Sequence, residues 1–214
     1  MNAPLTKTAQ KKIESAVRAL NANRFDARFV PNREELLKLL GELVPENAVV
    51  ANGGSATLEE TGVMDFLRSG KFRYLDRYRP GLTQEELRRV FLDSLDADWY
   101  FTSANAITMD GQLYNIDGNS NRVAAIAFGP RNVAVVAGAN KLVQDLKEAE
   151  RRAKNWSAAA NCFRLGITTT GCAVTGHCTD CKSAERICCN TLVSSFQRHP
   201  GRVKVFLLPE ILGY

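Results

Sequence analysis

The sequence predicts a three-layer α/β fold, a mostly parallel β-sheet flanked by helices, on two observations. Short apolar runs such as Val133 to Val136 are continuous rather than alternating, as strands buried on both faces must be. Segments with apolar residues at helical spacing lie between those runs, the order that crossover connections of a parallel sheet require. The chain has 214 residues, 45% apolar and 24% charged, a balance that supports one full-sized core and excludes the composition of a disordered chain.

Thr6 to Asn23 places Ile13, Ala16, Val17 and Leu20 on one helical face. Phe25 to Val30 alternates and stops at Pro31, a strand, and Asn32 then caps a helix over Arg33 to Leu43 with Leu36, Leu37, Leu39 and Leu40 for its buried side. Asn47 to Ala51 predicts a strand, Gly53-Gly54 a turn, and Thr57 to Arg68 a helix turning Leu58, Val63, Phe66 and Leu67 inward. Phe72 to Leu75 reads as a strand, Gly81 to Leu95 as a helix opened by the capping box Thr83-x-x-Glu86, and Ala97 to Ser103 as a strand.

From Ala104 the texture changes. Asp110-Gly111 and Asp117-Gly118 flank Gln112 to Ile116, which predicts a hairpin inserted in the parallel framework. Val123 to Phe128 and Asn132 to Ala137 predict strands on either side of Gly129-Pro130. Asn140 to Ala160 predicts a long helix with Leu142, Val143, Leu146 and Ala149 on one face, and Val203 to Leu208 a closing strand. No repeat or low-complexity linker marks an interior boundary, so 1–214 reads as a single domain with a cysteine-rich segment at about 162–196.

The N-terminal stretch lacks the apolar core of a secretory signal, and no apolar run approaches a membrane-spanning length. Six cysteines in such a chain point to reduced thiols, metal ligands or redox groups rather than a disulfide framework, and the expected location is the cytoplasm. The net charge is +5, with +6 in residues 151–214 and −1 in the first 150. That basic region carries neither aromatic-and-basic alternation nor a helix-turn-helix or RNA-module signature, so no nucleic-acid partner is expected. It reads as a balance for a thiolate-rich site or a face for an acidic partner.

Three constellations carry chemistry. Asn52-Gly53-Gly54-Ser55-Ala56-Thr57 lies between a strand and a helix, where backbone N–H groups and the helix dipole favour an anion. It has neither the phosphate-loop nor the dinucleotide spacing, and a capping box of Thr57 with Glu60 would account for it with no ligand. The second cluster runs from Ser103 to Gly111 and continues through Asn115, Asp117, Asn119, Asn121 and Arg122. Turn geometry accounts for Asp110 and Asp117, whereas Asn105 and Asn115 abut apolar positions where a side-chain amide needs a partner.

The third is Cys172-x5-Cys178-x2-Cys181-x6-Cys188-Cys189, five cysteines within 18 residues. The C-x-x-C step lets two thiolates converge on one metal. With Ser183 as the cap of a helix from Ala184 to Phe196, Cys181 would sit before its positive end and Cys188 would close a set of Cys172, Cys178, Cys181 and Cys188. Cys189 would point about 100° away from Cys188 and stay outside that set. Sulfur ligands suit an iron–sulfur cluster and zinc alike, and a C-x-x-C redox disulfide fits five cysteines poorly. Cys162 reads as a buried small hydrophobe, His177 as a substitute ligand within the cluster, and His199 as a surface residue.

Gly53-Gly54-Ser55-Ala56-Thr57-Leu58-Glu59, Ser103-Ala104-Asn105-Ala106-Ile107-Thr108-x-Asp110-Gly111 with Asn115-x-Asp117-Gly118 and Asn121-Arg122, and Thr175-Gly176-x-Cys178-x-Asp180-Cys181 to Arg186-Ile187-Cys188 together resemble the lactate-utilisation (LUD) domain family. The resemblance spans nearly the whole chain. It implies a fold like that of the superfamily of glucosamine-phosphate deaminase, ribose-phosphate isomerase and CoA-transferase, and a place in oxidising L-lactate to pyruvate alongside iron–sulfur partner proteins. It also implies that Gly53, Gly54, Ser55 and Thr57 line a ligand pocket facing Asn105 and the hairpin from Asp110 to Asn121. Gly171 and Ala184 depart from the family pattern, which often has proline there, and Cys189 adds a thiol.

The resulting expectation is a metal-centred component of lactate utilisation. An iron–sulfur cluster, such as [4Fe-4S], sits on Cys172, Cys178, Cys181 and Cys188, and the glycine loop binds a small carboxylate or phosphate. The alternative is a non-redox enzyme acting on a sugar phosphate, carboxylate or acyl-CoA, with structural zinc. The sequence leaves a homodimer open.

Overall fold

Six strands hydrogen-bond side by side, every pairing parallel, in the order β1 (Asp26–Phe29), β10 (Val203–Leu208), β7 (Asn132–Gly138), β4 (Trp99–Thr102), β2 (Val49–Asn52) and β3 (Arg73–Tyr74). The structure is a computed structural model that describes residues 3–214. In β7 and β10, side chains alternate strictly between two cores. Val133, Val135, Val205 and Leu207 enter one; Ala134, Val136, Phe206 and Leu208 enter the other. Both faces of the sheet are therefore buried, which is why these strands read as unbroken apolar runs.

Helices α2 (Arg33–Leu43), α3 (Ala56–Glu60) and α4 (Val63–Leu67) cover the second face through Leu36, Leu40, Leu58, Val63, Met64 and Leu67. On the first face, α1 (Ala3–Ala22) inserts Ile13, Ala16 and Leu20, and α6 (Asn121–Ala127) adds Ile126. Helix α5 (Gln84–Asp93) opens with the Thr83–Glu86 capping box expected of it. The Asn32 side chain caps α2 by accepting from the Glu35 amide at 2.9 Å.

A second sheet lies over α1. Its order is β8 (Leu142–Val143), β5 (Ala106–Thr108), β6 (Leu113–Asp117) and β9 (Asn190–Ser194), with β5 and β6 forming the predicted hairpin and β9 antiparallel to β6. Beyond it run α7 (Leu146–Arg152), one π-helical turn at Ala153–Ser157, α8 (Ala158–Arg164) and the short α9 (Gly171–Thr175).

Four expectations are corrected. The apolar run from Val123 to Phe128 is helical, because the Asp117 carboxylate accepts from the Arg122 and Val123 amides and caps α6 from a distance in sequence. The helix expected from Asn140 to Ala160 begins only at Leu146; Leu142 and Val143 pair instead with Ile107 and Thr108, and Asp145 caps α7. The helix over Thr57 to Arg68 is broken at Gly62, whose φ is +75°, and Ser55 rather than Thr57 supplies its cap. No helix spans Ala184 to Phe196: Thr191 to Val193 are β-formers that complete the ladder on β6, and Ser183 caps nothing of that length.

Gly111 fixes the hairpin against α1. Its φ is +85°, and a Cβ there would lie 2.5 Å from the Ala19 carbonyl carbon, whereas Gly70, at φ +83°, has open space. Gly70→Ala is expected to lose about 1–2 kcal/mol from its backbone conformation alone. Gly111→Ala is expected to lose clearly more, and equal losses in urea unfolding would show that the close approach to α1 is not a constraint.

Candidate functional site

The carboxyl ends of parallel strands are where open α/β sheets bind ligands, because loops diverge there and leave a crevice. In this chain the ends of β2, β4 and β7 deliver Gly54 to Thr57, Ser103 to Asn105 and Lys141 to one cavity of 570 Å³. Its remaining walls come from Asp117 to Arg122, from α8 through Asn161 and Arg164, from Tyr214, and from Ala184 to Cys189 of the cysteine segment. Five cationic side chains, Arg77, Arg122, Lys141, Arg164 and Arg186, face it against two carboxylates, Asp117 and Glu185.

Arg122 is the hub. Its Nε donates to Asp117 Oδ1 at 3.1 Å, Nη1 to Asn115 Oδ1 at 2.8 Å and the Ser103 carbonyl at 3.3 Å, and Nη2 to Asn105 Oδ1 at 3.0 Å and the Ile116 carbonyl at 2.7 Å. All five guanidinium hydrogens are thereby taken by the protein. Gly53 makes room for the crossing, since a Cβ there would meet Arg122 Cδ at 3.0 Å and the Tyr100 hydroxyl at 3.1 Å.

Lys141 is buried, and both hydrogen-bond partners of its Nζ are hydroxyls, Thr57 Oγ1 at 2.9 Å and Ser103 Oγ at 2.8 Å. Burial, with Arg152 and Arg122 pushing the same way and Glu60 opposing, holds its pKa down to about 7. Arg152 itself braces the site from α7: it donates to the backbone carbonyls of Asn105 and Asn140 and to Ser157 Oγ.

Of the residues singled out in the sequence, Gly54, Ser55, Thr57, Asn105, Asp117 and Asn121 line the cavity. Gly53 and Asn115 lie behind it, touching Arg122. The Asn115 Nδ2 is buried with no hydrogen-bond partner among the described residues. Asp110 sits at the hairpin turn and accepts from Thr108 Oγ1 and Gln112 Nε2, outside the cavity lining. Lys141, which falls inside the helix expected from Asn140 to Ala160, and Arg164, which lies beyond its end, are missed by sequence reasoning. A lysine three residues after a buried glycine-ended strand is the signal that points to the first.

The thiols divide into two groups. Cys162 on α8 and Cys172 on α9 are buried with sulfurs 3.8 Å apart, and Thr170 Oγ1 donates to Cys162 Sγ at 3.3 Å. Cys162 is buried in an apolar cluster with Ala159, as expected of a small hydrophobe, and packs there against the Cys172 thiol. Cys178 and Cys181 are more open, and Cys188, half-buried, feels the charges of both. Backbone N–H groups point at these sulfurs. That of Asp180 donates to Cys178 Sγ at 3.4 Å, and those of Gly171 and then Ser183 lower the Cys181 pKa, whereas burial raises Cys188.

Amide donors of that kind suit thiolates that hold a metal. Among the described residues, no three His, Cys, Asp or Glu side chains converge closely enough to share one ion. The donor chemistry therefore fits a metal group, while the spacing is not that of a single-ion site.

A three-layer α/β protein with a basic crevice at its strand ends is the class this geometry defines. The family model for the LUD domain matches residues 13–208, and the chain belongs to that family, which ties it to lactate utilisation. Its fold is similar to that of a DUF162 family protein from Deinococcus radiodurans, with a TM-score of 0.50, 15% identity, and 95% of this chain and 98% of the other covered. It also overlays on part of eIF2B delta from Chaetomium thermophilum, with a TM-score of 0.36, 17% identity, and 56% and 50% of the two chains covered. No curated protein matches the chain. No described helix is long and apolar enough to cross a membrane.

Arg122→Ala is expected to cost about 3–5 kcal/mol in denaturant unfolding, because it leaves the largely screened Asp117 carboxylate without its counter-charge and removes a donor from four other acceptors. Arg122→Lys is expected to recover little, since a point charge cannot reproduce the fork; full recovery would reduce Arg122 to a counter-ion.

Lys141 gives a second expectation. A base whose folded pKa lies below its unfolded value binds fewer protons when folded, so its burial penalty is complete below about pH 7 and is relieved as pH rises toward the unfolded value. Between pH 7 and 10, the stability of the wild type is expected to climb relative to Lys141→Met, with a slope difference of up to about 1.4 kcal/mol per pH unit. Parallel curves would mean that Lys141 stays charged.

Proposed function

We propose that the protein serves lactate utilisation by holding a small carboxylate in the cavity at the strand ends. One observation carries this reading: the cavity is lined by more cations than anions, and with Arg122 and Arg186 committed to protein acceptors, Arg77 and Arg164, the latter steadied by Asn161 Oδ1, are left to face a ligand. A carboxylate is recognised by charge-assisted hydrogen bonds, which low-dielectric surroundings strengthen.

A thiolate-held metal centre is the second element of the reading, favoured by the amide hydrogens aimed at Cys178 and Cys181. Cys172, Cys178, Cys181 and Cys188 would hold it, and Cys162, in contact with Cys172, joins them as a candidate ligand. An iron–sulfur cluster there supplies electron transfer, whereas zinc supplies bracing alone. Residues of the Ala184 to Cys189 stretch wall the cavity and also belong to the thiol segment, which supports reading the carboxylate and metal sites as neighbours.

L-lactate or pyruvate at about 100 times its Kd is expected to stabilise the protein by about 2.7 kcal/mol, and Arg164→Ala to weaken that effect. An unchanged melting temperature with both acids and with phosphate would overturn the cavity assignment. Iron with acid-labile sulfide in anaerobically purified protein, lost in Cys178→Ala/Cys181→Ala, is the result expected of the metal centre; zinc would convert it to a structural site.

A further inference from the structure

We propose that Ser103 and Lys141 form a nucleophile and base pair that hydrolyses anionic thioesters and esters. The activity is separate from the carboxylate reading above and stands if that reading fails. Both side chains line the cavity, both residues are buried, and Ser103 Oγ lies 2.8 Å from Lys141 Nζ. A hydroxyl is a weak nucleophile until a neighbouring base accepts its proton, and an amine does this only when uncharged. The surroundings of Lys141 favour that state: it is buried, its partners are two hydroxyls, and Arg152 and Arg122 add positive charge nearby, with Glu60 alone opposing them.

The hydrogen-bond directions are consistent with the role. Thr57 Oγ1 donates its own hydrogen to the Leu212 carbonyl, at 3.4 Å, so it can only accept from Nζ. Ser103 Oγ has Lys141 as its hydrogen-bond partner, so with the amine neutral its hydrogen faces the nitrogen lone pair. Ser103 directly follows β4, and Arg122 and Thr102 both donate to its carbonyl, which holds the backbone in place. The cavity, at 570 Å³, is larger than a three-carbon acid needs and falls within the range of about 300–1,000 Å³ that accommodates larger ligands. Arg77, Arg164 and Arg186 on its walls suit a substrate that carries a carboxylate or phosphate.

In the reaction, Ser103 Oγ bonds to the carbonyl carbon and its proton passes to Lys141 Nζ. The bond from that carbon to the leaving sulfur or oxygen breaks, and Nζ returns the proton to the thiol or alcohol. Water then adds to the acyl-Ser103 ester, giving a proton to Nζ; the bond to Oγ breaks and Oγ recovers the proton. One thioester or ester and one water are consumed, and one carboxylic acid and one thiol or alcohol are formed.

A serine-directed fluorophosphonate applied to the full chain tests this, with the modified residue located by peptide mass spectrometry. The expected result is phosphonylation of Ser103, at a rate that rises with pH through about 7 as Lys141 loses its proton. Ser103→Ala should abolish it, and Lys141→Met should slow it by about 100-fold or more. Should Lys141→Met fail to fold, the wild-type site and pH profile decide. An unmodified Ser103 at saturating reagent, or a rate that does not change between pH 6 and 8, would overturn the proposal.

Discussion

A guanidinium with five hydrogens and five protein acceptors is the constraint on which the rest of this structure depends. Arg122 rises from the start of α6 and gathers the end of β4, the first residue before β5 and three positions of β6, so it ties the parallel sheet to the small one. Its ion pair with Asp117 is largely screened from solvent, with 12% and 14% of the two side chains exposed. A charge in that position is tolerable only when its hydrogen bonds are complete, and polar networks of this kind are rigid for the same reason.

The same unit positions the two chemical features of the molecule. Asp117 accepts from Arg122 through its side chain and from the Cys189 amide, at 2.9 Å, through its carbonyl, so the cysteine segment hangs from the residue that anchors the arginine. Gly118 lets that segment pass, with Ile187 Cα 3.2 Å from where a Cβ would be. On the other side, Gly53 and Ser103 lie against Arg122 at the ends of β2 and β4, which present the Thr57 and Ser103 hydroxyls to Lys141. Being saturated, Arg122 contributes field to the cavity, and the ligand-facing donors are other residues.

Local signals in the sequence carried the frame. Strands β7 and β10 are continuous apolar runs because both faces are covered, and α2 and α5 are announced by capping residues within three positions of their starts. Where the determinant lies outside the segment itself, the local reading fails. Helix α6 takes its cap from Asp117 across a turn with Ser120 in the left-handed region, so Val123 to Phe128 looked like a strand. The stretch after Cys181 has helical-looking spacing, but its hydrogen bonds go to β6, seventy and more residues earlier in the chain. For the site, the glycine loop and the Asn-rich hairpin were legible as polar clusters. Lys141 was not, because burial and pairing with two hydroxyls are properties of the assembled strand ends.

The most direct test of this account is a double-mutant cycle between Arg122→Ala and Asn105→Ala, followed by urea unfolding. If the arginine is the hub, the two losses are coupled by about 1–3 kcal/mol, because each variant already breaks the bond shared with the other. Strictly additive losses would contradict it, and would mean that the bond between Arg122 and Asn105 does not help hold the two sheets together.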